Sequence, residues 1–303
     1  MHFFALPAIL TFACVSASDH WKYPDWDNGE KFPDWGGICE SGRRQSPINL
    51  SHKGALKGYY DKLIFKNYDE EQPTAIMVNN GHTIQLSGFS DNMEVSGGPL
   101  RGTYVVEQLH FHWWSEHTIE HVRFPLEVHI VHRNKHYSNI SQALHQRDGI
   151  AVIGVLFHAS NSENEAIAAL LKGLDQVKTF DQLNQPIELN TNFAVDDLFP
   201  HITGYMTYPG SLTTPSCAES VTWIVLTETF PVQIDQVNTF KQIEFEEGRL
   251  LTSNYRDIQK NNHRELIVVL QDGQLEQSSG AASRYCSLGG ALFAFLLFTP
   301  HLK

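Results

Sequence analysis

From Leu63 to Leu270 the chain is a succession of short β-branched or aromatic runs separated by turn residues, and this rhythm constrains the fold most. The runs 75–79, 82–89, 103–113, 126–132, 150–157, 221–228 and 266–270 are each of strand length. Branched and aromatic side chains fit a pleated, half-buried surface, while Gly, Asn, Asp and Pro supply the bends between them. The pattern predicts a β-dominated domain. Two stretches read as helices: Glu163–Leu174, with alanines and leucines at helical spacing, and Asp235–Glu246, opening on an Asp suited to N-capping. Residues 19–50, rich in Trp, Gly and Pro, read as an irregular leading segment.

The ends of the 303-residue chain have a different character. Residues 1–17 are apolar from Phe3 to Val15 and close on Val15-Ser16-Ala17, the order of a secretory signal peptide. A buried N-terminal helix fits less well, because polar Ser18-Asp19-His20 follow at once. Near the other end, Ser278-Ser279-Gly280-Ala281-Ala282 and a short polar spacer precede the apolar run Leu288–Phe298. Small residues, spacer and tail in that order predict a GPI-anchor signal, with attachment at Ser278 or Ser279; the run is too short to cross a bilayer as a helix. The chain therefore divides into 1–17 (signal peptide), 18–272 (the folded β-rich domain) and 273–303 (linker and anchor signal). The expected location is the outer face of the plasma membrane, or free secretion. The net charge of −12 argues against nucleic acid and anionic membrane surfaces, both of which need clustered Lys and Arg. Nothing demands an oligomer, and a monomer touching the membrane only through its lipid is expected. Of the cysteines at 14, 39, 217 and 286, the first leaves with the signal and the last belongs to the tail. Cys39 and Cys217 remain and are expected to be bridged in an oxidising compartment. Of two glycosylation sequons, Asn139-Ile140-Ser141 lies in a polar stretch and is favoured over Asn49-Leu50-Ser51.

Sixteen histidines matter less than where some of them fall. In Gln108-Leu109-His110-Phe111-His112-Trp113, period-2 geometry sets Gln108, His110 and His112 on one strand face. In Leu126–His132, Glu127, His129 and Val131 share a face in the same way. Three imidazoles from neighbouring strands can form a tripod for zinc with the fourth position open to water. Gln108 and Glu127 stand one same-face step from candidate ligands and could orient them by hydrogen bonds. A competing motif, His117-Thr118-Ile119-Glu120-His121, matches the inverted zinc-peptidase pattern, which requires a helix. Its β-branched residues and the following Phe124-Pro125 favour a structural or exposed segment instead.

Gln45-Ser46-Pro47-Ile48-Asn49, Asn79-Asn80-Gly81-His82, Gln108–Trp113, Ser115-Glu116-His117-Thr118, Leu126–His132 and Tyr208–Pro215 stand in one order over residues 20–270. In that order they resemble the blocks of the alpha-class carbonic anhydrases. The resemblance implies a single mainly β domain: a large twisted, mostly antiparallel central sheet with a few short peripheral helices. It implies zinc on His110, His112 and His129, with reversible hydration of carbon dioxide to bicarbonate and a proton by zinc-bound hydroxide. Thr213 then resembles the hydroxide's hydrogen-bond acceptor, passing its own proton to Glu116, and Thr214 lines the same wall. Val131, Val152, Leu212 and Trp223 resemble the carbon dioxide pocket, and His82 the residue that carries the proton away at near-neutral pH. The Cys39/Cys217 pair resembles the disulfide of the secreted and membrane-anchored members. One departure stands out: only Trp114 and Ser115 separate Trp113 from Glu116, where relatives carry a longer glycine-containing loop. A catalytically silent binding protein of this family would lack one or more zinc histidines, and here all three are present.

Overall fold

The computed structural model describes residues 21–271 and the main chain of residues 276–277; the expected signal peptide and Ser278 lie outside them. Among the described residues a thirteen-stranded sheet dominates. Its principal strands are β1 (Ile76–Asn79), β2 (Ile84–Ser87), β3 (Tyr104–Trp113), β4 (Leu126–Asn134), β5 (Ile150–Ser160), β6 (Gly204–Gly210), β7 (Val221–Gln233) and β8 (Ile267–Leu270). Across the sheet they lie in the order β1-β2-β3-β4-β5-β7-β6-β8. Every pair along this row is antiparallel except β5–β7, which runs parallel. That exception is compatible with composition. Ile150–Phe157 is buried throughout, as a parallel strand covered on both faces must be.

Alternation in β3 and β4 sorts side chains to the two faces. Leu109, Phe111 and Trp113 of β3, with Val128 and Ile130 of β4, join a cluster that includes Ile167, Leu170, Val237 and Phe240 of the covering helices. Each fully buried side chain of this kind contributes roughly 1.5–3 kcal/mol, so this face anchors the strands that carry the polar one. The opposite face packs Val131, Val152, Leu156, Met206, Tyr208, Trp223 and Val225.

Helices are short and peripheral: α1 (Gly37–Ser41), α2 (Ile140–Ala143), α3 (Glu165–Leu171) and α4 (Ile234–Phe240). Both sequence-predicted helices exist but are shorter than expected. α3 starts after Asn164, whose side chain caps the Ile167 amide, and ends before Gly173. α4 is opened by Gln233 rather than by Asp235, which lies in its first turn, and Glu244–Glu246 forms a strand instead of the helix's end. β6 was not anticipated, because Tyr208-Pro209-Gly210 reads as a turn. Pro209 is accommodated where its missing N–H is not needed by the ladder.

Cys39 of α1 and Cys217 are joined by a disulfide, with their Cα atoms 5.1 Å apart and 178 residues between them in sequence. Next to it the Cys217 amide donates to the Thr214 carbonyl (2.7 Å) and the Gln45 side chain donates to the Cys217 carbonyl (3.1 Å). The bridge thus ties the leading segment to the loop bearing Thr213 and Thr214.

Candidate metal centre

Strand register assembles the site in rows. Gln85, His110, His129, Gly154 and Val225 are successive partners across β2, β3, β4, β5 and β7. The next row pairs His112 with Glu127. The imidazole centroids of His110, His112 and His129 stand 4.5–5.1 Å apart, and one ring nitrogen from each lies within 4.8 Å of the others.

Each ring is fixed through its other nitrogen. His110 Nδ1–H donates to Gln108 Oε1 (2.8 Å), His112 Nδ1–H to the Asn254 carbonyl (2.7 Å), and His129 Nε2–H to Glu127 Oε1 (2.8 Å). His110 Nε2, His112 Nε2 and His129 Nδ1 are left to face one another. Buried His112 Nε2 has no hydrogen-bond partner, an arrangement that a metal completes. Burial, reinforced by the neighbouring imidazoles, holds His110 well below its usual pKa, and burial likewise lowers His112. His110 and His112 are therefore neutral at physiological pH, the state a ligand requires. Burial pushes the Glu127 carboxyl up, but attraction and hydrogen bonds from His117 and His129 outweigh it, and the group sits well below the carboxylate range. Gly154 makes room for that carboxylate: a Cβ there would stand 3.1 Å from Glu127 Oε1.

The inverted peptidase motif is not helical. Thr118–Ile119 is a short strand, and Glu120 and His121 take φ of 47° and 66°, so His117 and His121 share no helix face. His117 is instead fully buried, donating from Nδ1 to Glu127 Oε1 (2.7 Å) with the Tyr208 hydroxyl 2.7 Å from Nε2. His117, Glu127 and His129 also cluster tightly, but hydrogen bonds between ring N–H and carboxylate already occupy their facing atoms. His132 is structural as well: its Nδ1 bonds to the Ala151 carbonyl, Tyr68 meets its Nε2, and burial lowers its pKa to about 4.

The two-residue link after β3 prolongs strand pairing. Trp114 and Ser115 amides donate to the Pro125 and Phe124 carbonyls, at 2.9 and 2.8 Å. Glu116 lies beneath the histidines, with Oε1 accepting from the Arg256 amide (2.9 Å) and Oε2 3.5 Å from His112 Nε2. No hydrogen bond joins Glu116 Oε2 to Thr213. The oxygen faces the ring nitrogens His112 Nε2 and His129 Nδ1 instead, at 3.5 and 3.9 Å.

Val131, Val152 and Trp223 are cross-strand partners in one buried row, and half-buried Leu212 packs on the same cluster. Thr213 is buried and Thr214 half-buried in the loop after β6. His82 is half-buried and stacked on Trp21, with ring centroids 3.7 Å apart. Burial there lowers its pKa to about 4, not the near-neutral value expected from sequence.

Asn254 and Arg256 were not foreseen. Asn254 holds His112 through its main-chain carbonyl, which no residue pattern announces. Arg256 is buried and donates to the Gln45 side chain and to the Ser46 and Cys39 carbonyls at 2.7–2.9 Å.

The eukaryotic-type carbonic anhydrase family model matches residues 25–269. Carbonic anhydrase 3 of Homo sapiens is 35% identical over 266 residues, covering 84% of this chain and 95% of the relative. Carbonic anhydrase 7 of Mus musculus is 39% identical over 213 residues, covering 67% of this chain and 78% of the relative.

Proposed function

The chain belongs to the eukaryotic-type carbonic anhydrase family, and from this we propose how its own residues divide the work and where the enzyme resides. It catalyses the reversible hydration of carbon dioxide to bicarbonate and a proton. The observation that carries the proposed assignment is three converging imidazoles, two buried and one half-buried, each locked by a separate acceptor so that one nitrogen faces inward.

His110, His112 and His129 would hold zinc. The ion would act as a Lewis acid that acidifies a water, chemistry known from carbonic anhydrases themselves. Gln108, Glu127 and the Asn254 carbonyl keep the rings in the ligating tautomer. Val131, Val152, Leu212 and Trp223 offer carbon dioxide an apolar, water-excluding wall. Thr213 and Thr214 offer hydroxyls beside it, and Glu116 contributes a buried carboxyl group. Zinc content measured together with carbon dioxide hydration tests the whole reading; metal-free protein with full activity would overturn it.

His82 carries the product proton outward. Stacked on Trp21 the imidazole is held neutral, so at neutral pH it accepts a proton only after turning off the indole. His82→Ala is expected to slow turnover in weak buffer on the order of ten- to hundredfold while leaving zinc bound, with imidazole buffer restoring part of the loss. An unchanged low-buffer rate would assign the proton to another group or to water.

The chain is exported as a monomer, glycosylated at Asn139 and anchored through lipid near Ser278. The disulfide supports this setting, because such bonds persist in oxidising compartments. The two sequons also differ in geometry. Asn139 is exposed and caps α2 through Oδ1, which a glycan on its nitrogen leaves free. Asn49 is part-buried, and its Oδ1 accepts from both Thr118 Oγ1 and the His121 amide, each at 2.7 Å. Phosphatidylinositol-specific phospholipase added to intact cells is expected to release activity into the medium. Retention of that activity, while known GPI proteins are released, would exclude the anchor.

A further inference from the structure

The stretch Leu251–Arg256 meets the site at three points. The Leu251 carbonyl accepts from Trp113 Nε1 (2.6 Å), the Asn254 carbonyl from His112, and the Arg256 amide donates to Glu116. Within it the Asn254 side chain is fully buried and uses both ends. Its Oδ1 accepts from the Trp113 amide (2.8 Å), and its Nδ2 donates to the carbonyls of Phe111 (2.8 Å) and His82 (3.0 Å). Phe111 and Trp113 flank His112 on β3. The carboxamide therefore fastens the main chain at His82 to the strand that bears two of the three histidines.

Around His82 the remaining bonds are a local turn and one further tie to β3, through Thr83. Asn80 Oδ1 accepts from the amides of His82 and Thr83, both at 3.0 Å, and shapes the turn. Thr83 Oγ1 bonds to the Phe111 carbonyl and anchors the residue after it. The His82 carbonyl itself is held by Asn254, and its ring touches Trp21. With the main chain so fixed, the imidazole moves by side-chain rotation alone, between the indole and the cavity.

We propose that the Asn254 carboxamide is a positioning residue for proton transfer, holding the His82 main chain in register with the metal-ligand strand. The inference rests on the His82 assignment above and concerns the side chain of Asn254, not its carbonyl. Because His112 is held by main chain, shortening the side chain leaves that ligand contact in place.

Asn254→Ala and Asn254→Ser separate these roles. Both are expected to bind zinc at the wild-type stoichiometry. Turnover of Asn254→Ala in weak buffer should fall about tenfold, with kcat/KM changed less than about threefold and imidazole buffer restoring the rate. Asn254→Ser, which keeps one donor and leaves a smaller gap, should fall between. In the His82→Ala background, Asn254→Ala should cause no further low-buffer loss. A readout independent of activity is the His82 ring resonances in metal-free protein, which the Trp21 ring current displaces; in the variants they should shift toward unstacked positions. Equal falls in kcat and kcat/KM, a further loss on top of His82→Ala, or unmoved His82 resonances would each overturn the proposal. If His82→Ala itself has no effect, the shuttle reading fails, while the resonances still report whether Asn254 places the ring.

Discussion

Replacing His129 by alanine is expected to leave a folded protein that has lost nearly all bound zinc and with it nearly all activity. The ring contributes one of three inward nitrogens, and it is held by Glu127 at 2.8 Å. The fold should survive, because the apolar face of β4 is set by Val128 and Ile130, which the substitution does not touch. The size of the effect distinguishes a ligand from a supporting residue. Loss of an outer partner such as Gln108 typically costs about ten- to hundredfold in metal affinity, and removal of a ligand should exceed that. Elemental analysis of zinc per chain, far-UV circular dichroism and a carbon dioxide hydration assay on His129→Ala and Gln108→Ala provide the check. Stoichiometric zinc with undiminished activity in His129→Ala would remove it from the site.

The second large effect concerns stability. Closing a loop across 178 residues restricts the unfolded chain by about 5 kcal/mol in the chain-entropy account, a large share of the 5–15 kcal/mol typical of a domain. Cys39→Ala with Cys217→Ala should therefore lower the thermal midpoint by about 10–20 °C for a chain of this size. Reductant should bring the parent protein down to the variant and leave the variant unchanged. Both cysteines are buried, so the parent should resist alkylation until it is reduced and unfolded. Thiols that titrate in native protein without reductant would contradict the bridge.

What the sequence disclosed depended on how far each signal reached. His110, His112 and His129 were legible because strand alternation is local, and Gln108 and Glu127 because their partners lie two residues away on the same face. The β5 run was legible from its unbroken apolar composition, although its parallel pairing with β7 was not. β6 escaped because Pro209 and Gly210 carry turn chemistry that sheet context overrides. The helix ends were misplaced because the start of α4 is set from inside the helix: the Gln233 amide donates to the Gln236 side chain, and Asp235 falls in the first turn. Asn254 escaped for another reason, since its carbonyl meets His112 across 142 residues and any residue type supplies a carbonyl. His82 was singled out by its motif, but its stacking on Trp21, in a setting whose burial lowers the ring's pKa, is tertiary.

That distance between His112 and Asn254 also orders events on the ribosome. All three candidate ligand histidines have been synthesised by residue 129, yet the strand that closes the sheet beside β5 begins at Val221, and the residue that orients His112 comes later still. A nascent chain ending near residue 250 would carry every ligand but lack the carbonyl that orients the second. Long-range closure of this kind slows folding relative to local contacts. Competent metal capture is thus an event of the nearly finished polypeptide, and stalled or truncated chains should emerge without zinc however complete their histidine set.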